Sequence, residues 1–150
     1  MDNDLSKYTI TDLSTFLRDK KVDALELFEY FFEKIKSYKD KNIFISMNED
    51  RSRFEAEKSS KRYKEDNFLG PLDGIPMSWK DLIDIKGYKT TSGSLIHKQI
   101  KPAKKDAKIV SNCSKVGMVV LGKLNLTEFA FSGVGINPHY GTPKNSFGNS

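Results

Sequence analysis

Apolar side chains between residues 9 and 37 recur at intervals that predict two amphipathic helices. In the second helix, five of them form one broad face at i, i+1, i+4, i+5 and i+8: Leu27, Phe28, Phe31, Phe32 and Ile35. Asp23, followed three residues later by Glu26, has the pattern of a capping box and predicts where this helix begins. Thr9 with Asp12 predicts the start of the shorter preceding helix, which runs through Leu17.

Two further elements are predicted before residue 70. Ile43–Ile45 is a short apolar run that predicts a strand. The segment from Glu49 to about Asp66 is highly charged and has few apolar positions, chiefly Phe54, Ala56 and Tyr63. This pattern predicts a helix that faces solvent along most of its length.

After residue 70, short apolar runs replace the amphipathic stripes. Ile75–Trp79 and Met118–Leu121 predict two buried strands. Between them, Asp106 predicts the start of a helix and Gly117 its end. A strand, a crossover helix and a second strand predict parallel pairing with a right-handed connection. Another helix is predicted to begin within Leu126–Phe131.

Glycine, proline and charge all change near residue 70. All ten glycines and all five prolines lie at or after Gly70, which predicts a helical layer over 1–69 and a loop-rich α/β region over 70–150. The first 70 residues hold 14 basic and 15 acidic side chains, whereas the remaining 80 hold 11 and 5. Because 150 residues is about the length of one domain, we expect both parts to belong to a single domain of the α/β class.

Composition excludes several classes of protein. The chain is 37% hydrophobic and 30% charged, enough for one ordinary core, so disordered and collagen-like classes are excluded. A single cysteine excludes a disulfide framework and a cysteine-based zinc site. No apolar run approaches the roughly 18 residues of a membrane span. The acidic Met1–Asp4 segment is unlike a signal peptide, so we expect a soluble, cytoplasmic protein with no membrane contact.

Lys80 is the main candidate for catalytic chemistry. It directly follows the predicted strand Ile75–Trp79 and precedes Asp81. Catalytic groups of α/β sheets lie just outside the carboxyl ends of strands. Partial desolvation there disfavours the charged amine, so that a lysine can act as a base. The alternative is a lysine that only extends into solvent from the strand end, and spacing alone leaves both possibilities open.

Cofactors are not expected from the remaining candidates. Cys113 lies on the apolar face of the helix after Asp106 and is expected to be a small buried thiol. His97 and His139 are isolated in loop-like sequence and have no third ligand for a metal. Gly133-Val134-Gly135 lacks the third glycine and the following helix of a dinucleotide site.

The Lys98–Lys108 segment is the strongest basic patch. It contains five lysines against Asp106 alone, which could meet phosphates, but no aromatic residue for base stacking is interleaved with them. A solvated basic loop is the simpler interpretation, and binding of nucleic acid is not expected from this segment.

An ordered series of motifs from Gly70 to Asn145 resembles the amidase signature family. The segments that carry the resemblance are Gly70-Pro71-Leu72-Asp73-Gly74-Ile75-Pro76, Lys80-Asp81, Thr90-Thr91-Ser92-Gly93-Ser94, Asp106-Ala107, Gly117–Asn125, Thr127-Glu128-Phe129-Ala130 and Gly135–Asn145. The N-terminal helices are compatible with the same family. The resemblance implies N-terminal helices packed on a mixed sheet that is flanked by helices.

The resemblance also implies a mechanism. The family uses a Ser–cis-Ser–Lys triad to cleave a carboxamide through an acyl-enzyme, and Lys80 matches the family lysine, which would activate the nucleophile through the middle serine. The family's Gly-Gly-Ser-Ser-Gly loop is absent, and Ser150, which follows Phe147-Gly148-Asn149, does not match it. We therefore expect an N-terminal fragment of an amidase domain that is inactive alone and needs no cofactor.

Three functions remain open. The segment from Phe131 to Pro143 looks more like general amidases, which act on small carboxamides, than like the A subunit of the aminoacyl-tRNA amidotransferase. That subunit takes ammonia from glutamine, and only in this case would a nucleic acid be involved. The third possibility is a non-catalytic remnant or binding module. A homo-oligomer is possible in each case.

Overall fold

A computed structural model describes residues 4–145 of the 150-residue chain. These residues form four α-helices, three strands and three short 3-10 helices. The α-helices are α1 (Ile10–Arg18), α2 (Ala24–Ser37), α3 (Glu49–Lys64) and α4 (Lys108–Lys115); the strands are β1 (Phe44–Met47), β2 (Pro76–Lys80) and β3 (Val119–Leu124); the 3-10 helices are Leu5–Lys7, Lys39–Lys41 and Glu128–Ala130. The α/β class predicted from the sequence is confirmed.

The chain divides into two compact units that each draw on separate stretches of sequence. The first contains residues 4–36, 48–77 and 112–121, and the second contains 37–47, 78–111 and 122–145. The division at residues 69 and 70, and the single domain expected over 1–150, stay predictions.

The N-terminal helices of the first unit begin where the sequence predicts. Thr9 N–H donates to Asp12 Oδ2 at 3.0 Å, and Asp12 N–H donates back to Thr9 Oγ1 at 3.2 Å, which is a complete capping box at α1. At α2, Asp23 N–H donates to Glu26 Oε2 at 3.1 Å. The apolar faces of both helices enter one core: Leu13, Leu17, Val22, Ala24, Leu27, Tyr63, Ile75 and Met118.

Helix α3 differs from the solvent-facing helix that its composition predicts. One of its faces is buried and consists mainly of small side chains: Ser52, Ala56, Ser59, Ser60 and Tyr63. Phe54, predicted as a contact, is 56% exposed. Ser52 Oγ lies within hydrogen-bond reach of the carbonyls of Asn48 and Val120, to either of which its one hydroxyl can donate, and Glu55 Oε2 accepts from Val120 N–H at 2.8 Å. Small serines therefore allow a close approach that hydrophobicity alone does not indicate.

The sheet is mixed and has the order β1-β3-β2. β1 pairs antiparallel with β3, placing Ser46 opposite Lys123 and Met47 opposite Gly122. β2 and β3 are parallel, as the sequence predicts. At one end of the pair Val119 N–H donates to the Ile75 carbonyl, and at the other end Asp81 N–H donates to the Leu124 carbonyl, so residue numbers increase in the same direction on both strands.

Several boundaries differ from the predictions. The three strands each begin one residue later than predicted, and α4 begins at Lys108, while the Asp106 side chain accepts from Lys86 N–H at 2.7 Å. β3 continues through Gly122, because a Cβ there would collide with the Ser46 carbonyl oxygen and only glycine permits this approach. The helix predicted within Leu126–Phe131 is only the 3-10 turn Glu128–Ala130, since Phe129 and Ala130 have φ values of 52° and 55°. Residues in the left-handed region cannot continue a right-handed helix.

The structure carries no helix, within residues 4–145, that combines the length and hydropathy needed to span a bilayer.

Candidate functional site

Lys80 is the last residue of β2, so the predicted position at a strand end is confirmed. Its side chain is exposed, and its Nζ donates a hydrogen bond to the Asn125 carbonyl at 2.8 Å. Asn125 directly follows the end of the neighbouring parallel strand β3. The amine is therefore held at the carboxyl edge of the sheet, where α/β proteins place reactive groups.

Asn125 is itself fixed by hydrogen bonds to two other segments of the second unit. Its Nδ2 donates to the Asn42 carbonyl at 2.9 Å and to the Gly141 carbonyl at 2.7 Å, and its backbone N–H donates to the Ile43 carbonyl at 2.8 Å. The residue is 3% exposed. Because these bonds restrain the peptide on which Lys80 rests, the acceptor of the Lys80 amine has a defined position.

Asp81, the next residue, forms a buried ion pair with Lys123. Lys123 Nζ lies 2.7 Å from Asp81 Oδ1, and the side chains of Lys123 and Asp81 are 0% and 1% exposed. Lys123 Nζ also donates to the Lys89 carbonyl at 3.0 Å and to Thr90 Oγ1 at 2.7 Å. Asp81 Oδ2 accepts from the N–H of Thr91 at 3.0 Å and from its hydroxyl. Each of the two charges is therefore paired with the other and accepts or donates further hydrogen bonds within the protein.

The segment after Thr91 carries backbone strain. Ser92 has a φ of 55°, and its carbonyl accepts from the N–H of Phe129 at 2.8 Å. Non-glycine residues in the left-handed region concentrate at functional sites, where surrounding contacts hold them. Here the contacts include Ser92 N–H on the Asp81 carbonyl at 2.9 Å, which ties the strained loop to the residue beside Lys80.

Asn137 connects the same loop to the chain after β3. It is 1% exposed, and its Nδ2 donates to the carbonyls of Gly93 and Leu126 at 2.9 and 2.7 Å. Its Oδ1 accepts from the N–H groups of His139 and Tyr140 at 2.8 and 2.9 Å. Gly93, at a φ of +66°, leaves no room for a Cβ beside this amide. One buried side chain thereby uses all its hydrogen-bonding capacity to join two loops.

Ser94, Glu128 and His139 lie together but do not form a nucleophile–base arrangement. Ser94 Oγ donates to Glu128 Oε1 at 2.6 Å, and His139 Nε2 lies 3.1 Å from the same oxygen. The carboxylate is therefore central, and the serine is not bonded to the histidine as an acyl-transfer triad requires. Among residues 4–145, no group of three or more metal-ligating side chains is assembled.

The other sequence candidates do not join this site. Cys113 is half-buried and packs against the core of the first unit. His97 packs edge-on against the Phe129 ring, with ring centroids 5.4 Å apart. The five lysines of the Lys98–Lys108 segment are exposed.

Sequence reasoning missed Asn125, whose carbonyl accepts from Lys80, and the buried polar residues Asp81, Lys123 and Asn137 of the same unit. A signal for two of them was present, because Lys123 and Asn125 interrupt and follow an apolar strand just as Lys80 and Asp81 end one. Reactive groups of α/β sheets lie at the carboxyl ends of strands. Applied to both predicted parallel strands, this rule would have placed Lys80 and Asp81 near Lys123 and Asn125. No local signal indicated that the Asn137 amide would donate to Gly93 and Leu126, since these two acceptors are distant in sequence.

Comparison with known proteins places these features in one family. The Amidase family model matches residues 26–150. The A subunit of the glutamyl-tRNA(Gln) amidotransferase of Ralstonia nicotianae is 34% identical over 138 residues, covering 91% of this chain and 27% of that protein. The AtzE subunit of the 1-carboxybiuret hydrolase of Pseudomonas sp. (strain ADP) is 38% identical over 104 residues, covering 69% of this chain and 23% of that protein.

Solved structures agree with the family match. One solved structure is of a vestigial protein complex that reveals the evolutionary origins of an s-triazine catabolic enzyme. Its superposition on this chain gives a TM-score of 0.89 at 31% sequence identity, over 93% of this chain and 31% of that chain. The native peptide amidase of Stenotrophomonas maltophilia gives 0.84 at 26% identity, over 95% of this chain and 30% of that chain. The present chain spans less than a third of the length of each of these four proteins.

Proposed function

Because the chain belongs to the amidase family, we propose that it supplies the lysine base of an enzyme that hydrolyses the carbon–nitrogen bond of a carboxamide. Lys80 is the base. The proposal assigns the two serines of the triad to the part of the amidase length that this chain does not span.

The hydrogen bond from Lys80 Nζ to the Asn125 carbonyl is the observation that supports this role most directly. A carbonyl oxygen can only accept, so it orients an N–H of the amine and leaves the nitrogen lone pair of the neutral form free. A lone pair aimed away from the carbonyl can take a proton from a serine hydroxyl. Geometry of this kind is the first requirement for a general base.

In the proposed reaction, Lys80 takes the hydroxyl proton of the middle serine as that serine takes the proton of the nucleophilic serine. The nucleophilic oxygen bonds to the carboxamide carbon, and the carbon–nitrogen bond breaks as the same proton path delivers a proton to the leaving nitrogen. Water then attacks the acyl ester and releases the carboxylic acid, which restores the serine.

A neutral amine at working pH requires that water be excluded from Lys80 when substrate is bound. The Lys80 side chain is exposed in the described residues. The proposal therefore requires further polypeptide and the substrate itself to cover this amine in the active enzyme. We expect activity to be higher in forms of the protein in which water is more fully excluded from the Lys80 amine.

A second candidate is the A subunit of the glutamine-dependent aminoacyl-tRNA amidotransferase. Support comes from relatives of that description in Ralstonia, Legionella, Herminiimonas and Psychrobacter, at 34–37% identity over at least 91% of this chain. The same lysine chemistry would release ammonia from glutamine, and the ammonia would pass to an acceptor. The loop from Phe131 to Pro143 favours the general amidases instead, and we retain hydrolysis of a small carboxamide in the cytoplasm as the main proposal.

The test begins with the reading frame after the codon for Ser150. A Gly-Gly-Ser-Ser-Gly segment followed by a second serine supports an enzyme, whereas an immediate stop codon supports a non-catalytic remnant. The complete product is then assayed for ammonia release from a panel of carboxamides that includes glutamine, with and without a glutamyl-tRNA acceptor. Glutamine turnover that depends on the acceptor would select the second candidate.

Lys80→Met in that complete protein is expected to lower turnover by roughly 10²–10⁴-fold, because a general base contributes about that much. The matched control is Lys104→Met, which removes an exposed lysine of the basic segment and should leave turnover unchanged. Circular dichroism and thermal melting establish that both variants fold. Full turnover by a folded Lys80→Met variant would contradict the base role.

A further inference from the structure

We propose that the buried Asp81–Lys123 ion pair is a positioning pair for Lys80, holding its amine on the Asn125 carbonyl and keeping the surrounding charge balanced. This inference rests on the proposed function of Lys80. Neither side chain is close enough to solvent to contact a substrate directly, since those of Asp81 and Lys123 are 1% and 0% exposed. Their effect on the reaction must therefore pass through Lys80.

The first argument is the place of the pair in the chain. Asp81 directly follows Lys80, and Lys123 lies two residues before Asn125, so the ion pair and the Lys80–Asn125 hydrogen bond join the same two strand ends. Between them, Asp81 N–H donates to the Leu124 carbonyl at 3.1 Å. The pair therefore joins, through two fully buried side chains, the two stretches of backbone that carry Lys80 and its acceptor.

The second argument is energetic. Removing two charges from water costs several kcal/mol for each ion, and an apolar pair of similar volume is often equally stable. A fully buried pair is therefore weak evidence of a contribution to stability. Its presence beside the candidate base is better explained by a requirement of the site, which needs a fixed geometry and a neutral local field.

The third argument is the set of contacts that fixes Lys123. Its Nζ lies 2.7 Å from Asp81 Oδ1 as an ion pair and donates hydrogen bonds to the Lys89 carbonyl and to Thr90 Oγ1. Thr90 Oγ1 in turn donates to Asp84 Oδ1 at 2.7 Å, so one exposed carboxylate faces the pair through a hydroxyl. Three contacts to different residues restrain the ammonium, and a restrained pair of charges is what a site needs in order to place a catalytic amine.

Breaking the pair on either side gives opposite electrostatic effects at Lys80. Lys123→Met leaves a buried carboxylate next to the base, which stabilises the protonated amine, so a higher pH is needed for activity. Asp81→Asn leaves a buried ammonium, which destabilises the protonated amine, so activity persists to lower pH. The other charged groups next to the pair in the described residues are Lys80, the sequence neighbour of Asp81, and Asp84, whose Oδ1 accepts from Thr90 Oγ1.

The experiment measures kcat, KM and the pH–rate profile of the complete protein. In both single variants we expect kcat to fall about 10²-fold with KM little changed, since a displacement of about 1 Å has an effect of this size. The acid limb of the profile should move to higher pH in Lys123→Met and to lower pH in Asp81→Asn. Lys123→Arg, which keeps the charge, should return the limb to its original position.

The control is Arg62→Met, which breaks a comparable pair in the first unit, where Arg62 Nε donates to the buried Asp73 carboxylate at 2.8 Å. It should lower the melting temperature without moving the acid limb.

If the single variants at residues 81 and 123 do not fold, the double variant Asp81→Asn with Lys123→Met, which leaves no unpaired charge, is measured instead. It should keep the original acid limb and lose kcat.

Wild-type kcat in the double variant, or shifts in the same direction in both single variants, would overturn the positioning role. A different measurement tests the proposed role of Lys80 as the base. Full turnover by Lys80→Met would contradict that role, whatever the variants at residues 81 and 123 show. Loss of turnover in Lys80→Met together with unchanged kcat and pH profile in Lys123→Met would reject the positioning pair and leave the base intact.

Discussion

The interiors of the two units differ in the balance of apolar and polar side chains. Most of the buried apolar side chains lie in the first unit, on α1, on α2 and just before β2, including Leu17, Leu27 and Ile75, although this unit also buries Asp73 and three serines of α3. The second unit buries few apolar side chains and a larger set of polar and charged ones: Asp81, Ser94, Lys123, Asn125 and Asn137. Apolar contacts are non-directional and tolerate adjustment, whereas each buried polar group requires a partner at a set distance and angle. The difference indicates that the first unit is built mainly for stability and the second for placing atoms.

Each unit also holds an ion pair with a fully buried carboxylate, that of Asp73 in the first and that of Asp81 in the second. Asp73 in the first is 0% exposed and accepts from Arg62, and it also accepts from Leu69 N–H at 2.9 Å. Arg62 keeps partial access to water, whereas Asp81 and Lys123 have almost none. Near-complete desolvation makes the second pair the more expensive to build and the more sensitive to loss of one partner.

The largest expected effect on stability comes from an apolar truncation in the first unit. Leu27→Ala should lower the free energy of unfolding by about 2–5 kcal/mol, because it leaves a cavity at a fully buried position. Ile10→Ala, at a position that is 56% exposed, is the control and should change it by less than about 0.5 kcal/mol. Urea unfolding followed by circular dichroism gives both values, and equal effects would argue against an apolar core in this unit.

A polar truncation in the second unit should combine a loss of stability of similar size with a change of geometry. Asn137→Ala leaves buried backbone groups at Gly93 and Leu126 without the amide, which costs about 1–3 kcal/mol for each unsatisfied group. Hydrogen exchange of the 91–95 and 126–130 segments should rise well above that of α1. Gln99→Ala, at an exposed position in the same unit, should leave exchange unchanged. Exchange raised equally everywhere would show a purely global effect.

The capping box at α1 should contribute less. Thr9→Ala removes the acceptor of Asp12 N–H and should lower the free energy of unfolding by about 0.5–2 kcal/mol. Thr9→Ser keeps the hydroxyl and is the matched control. Loss of stability in both variants would mean that the methyl group, and not the capping bond, is important.

The smallest expected effect is a dependence of stability on pH at the start of α2. Partial burial opposes ionisation of Asp23, but hydrogen bonds from Ser60 Oγ and Leu25 N–H and the charge of Lys64 outweigh it, so the pKa of Asp23 lies below its usual 3.8. A carboxyl with a lowered pKa stabilises the fold above its unfolded pKa, and this contribution is lost as the pH falls through the lower, folded value.

Asp23→Asn keeps a capping side chain but cannot titrate. The loss of stability below about pH 4 should therefore be smaller in this variant than in the wild type. Asp50→Asn, an exposed acidic residue in the first turn of α3, is the control. Identical pH dependence in the wild type and Asp23→Asn, measured by urea unfolding, would contradict the contribution of Asp23.

The sequence by itself determined those features that depend on near neighbours. Helix starts at Thr9 and Asp23 follow from side chains three residues apart, and the position of Lys80 follows from an apolar run that ends beside a charge. The parallel pairing of β2 with β3 follows from the length of the connection between them. Short-range geometry is fixed by the backbone, so a pattern of a few residues is sufficient to predict it.

Only the tertiary structure decided what surrounds Lys80. Its acceptor at Asn125 is 45 residues away, and nothing near Lys80 in the sequence indicates that a carbonyl will receive its amine. The burial of Ser52 on α3 and the left-handed turn at Phe129 were equally hidden, because both depend on neighbours from other segments. A buried polar group is stable only when distant partners arrive together, so its place is a property of the assembled fold.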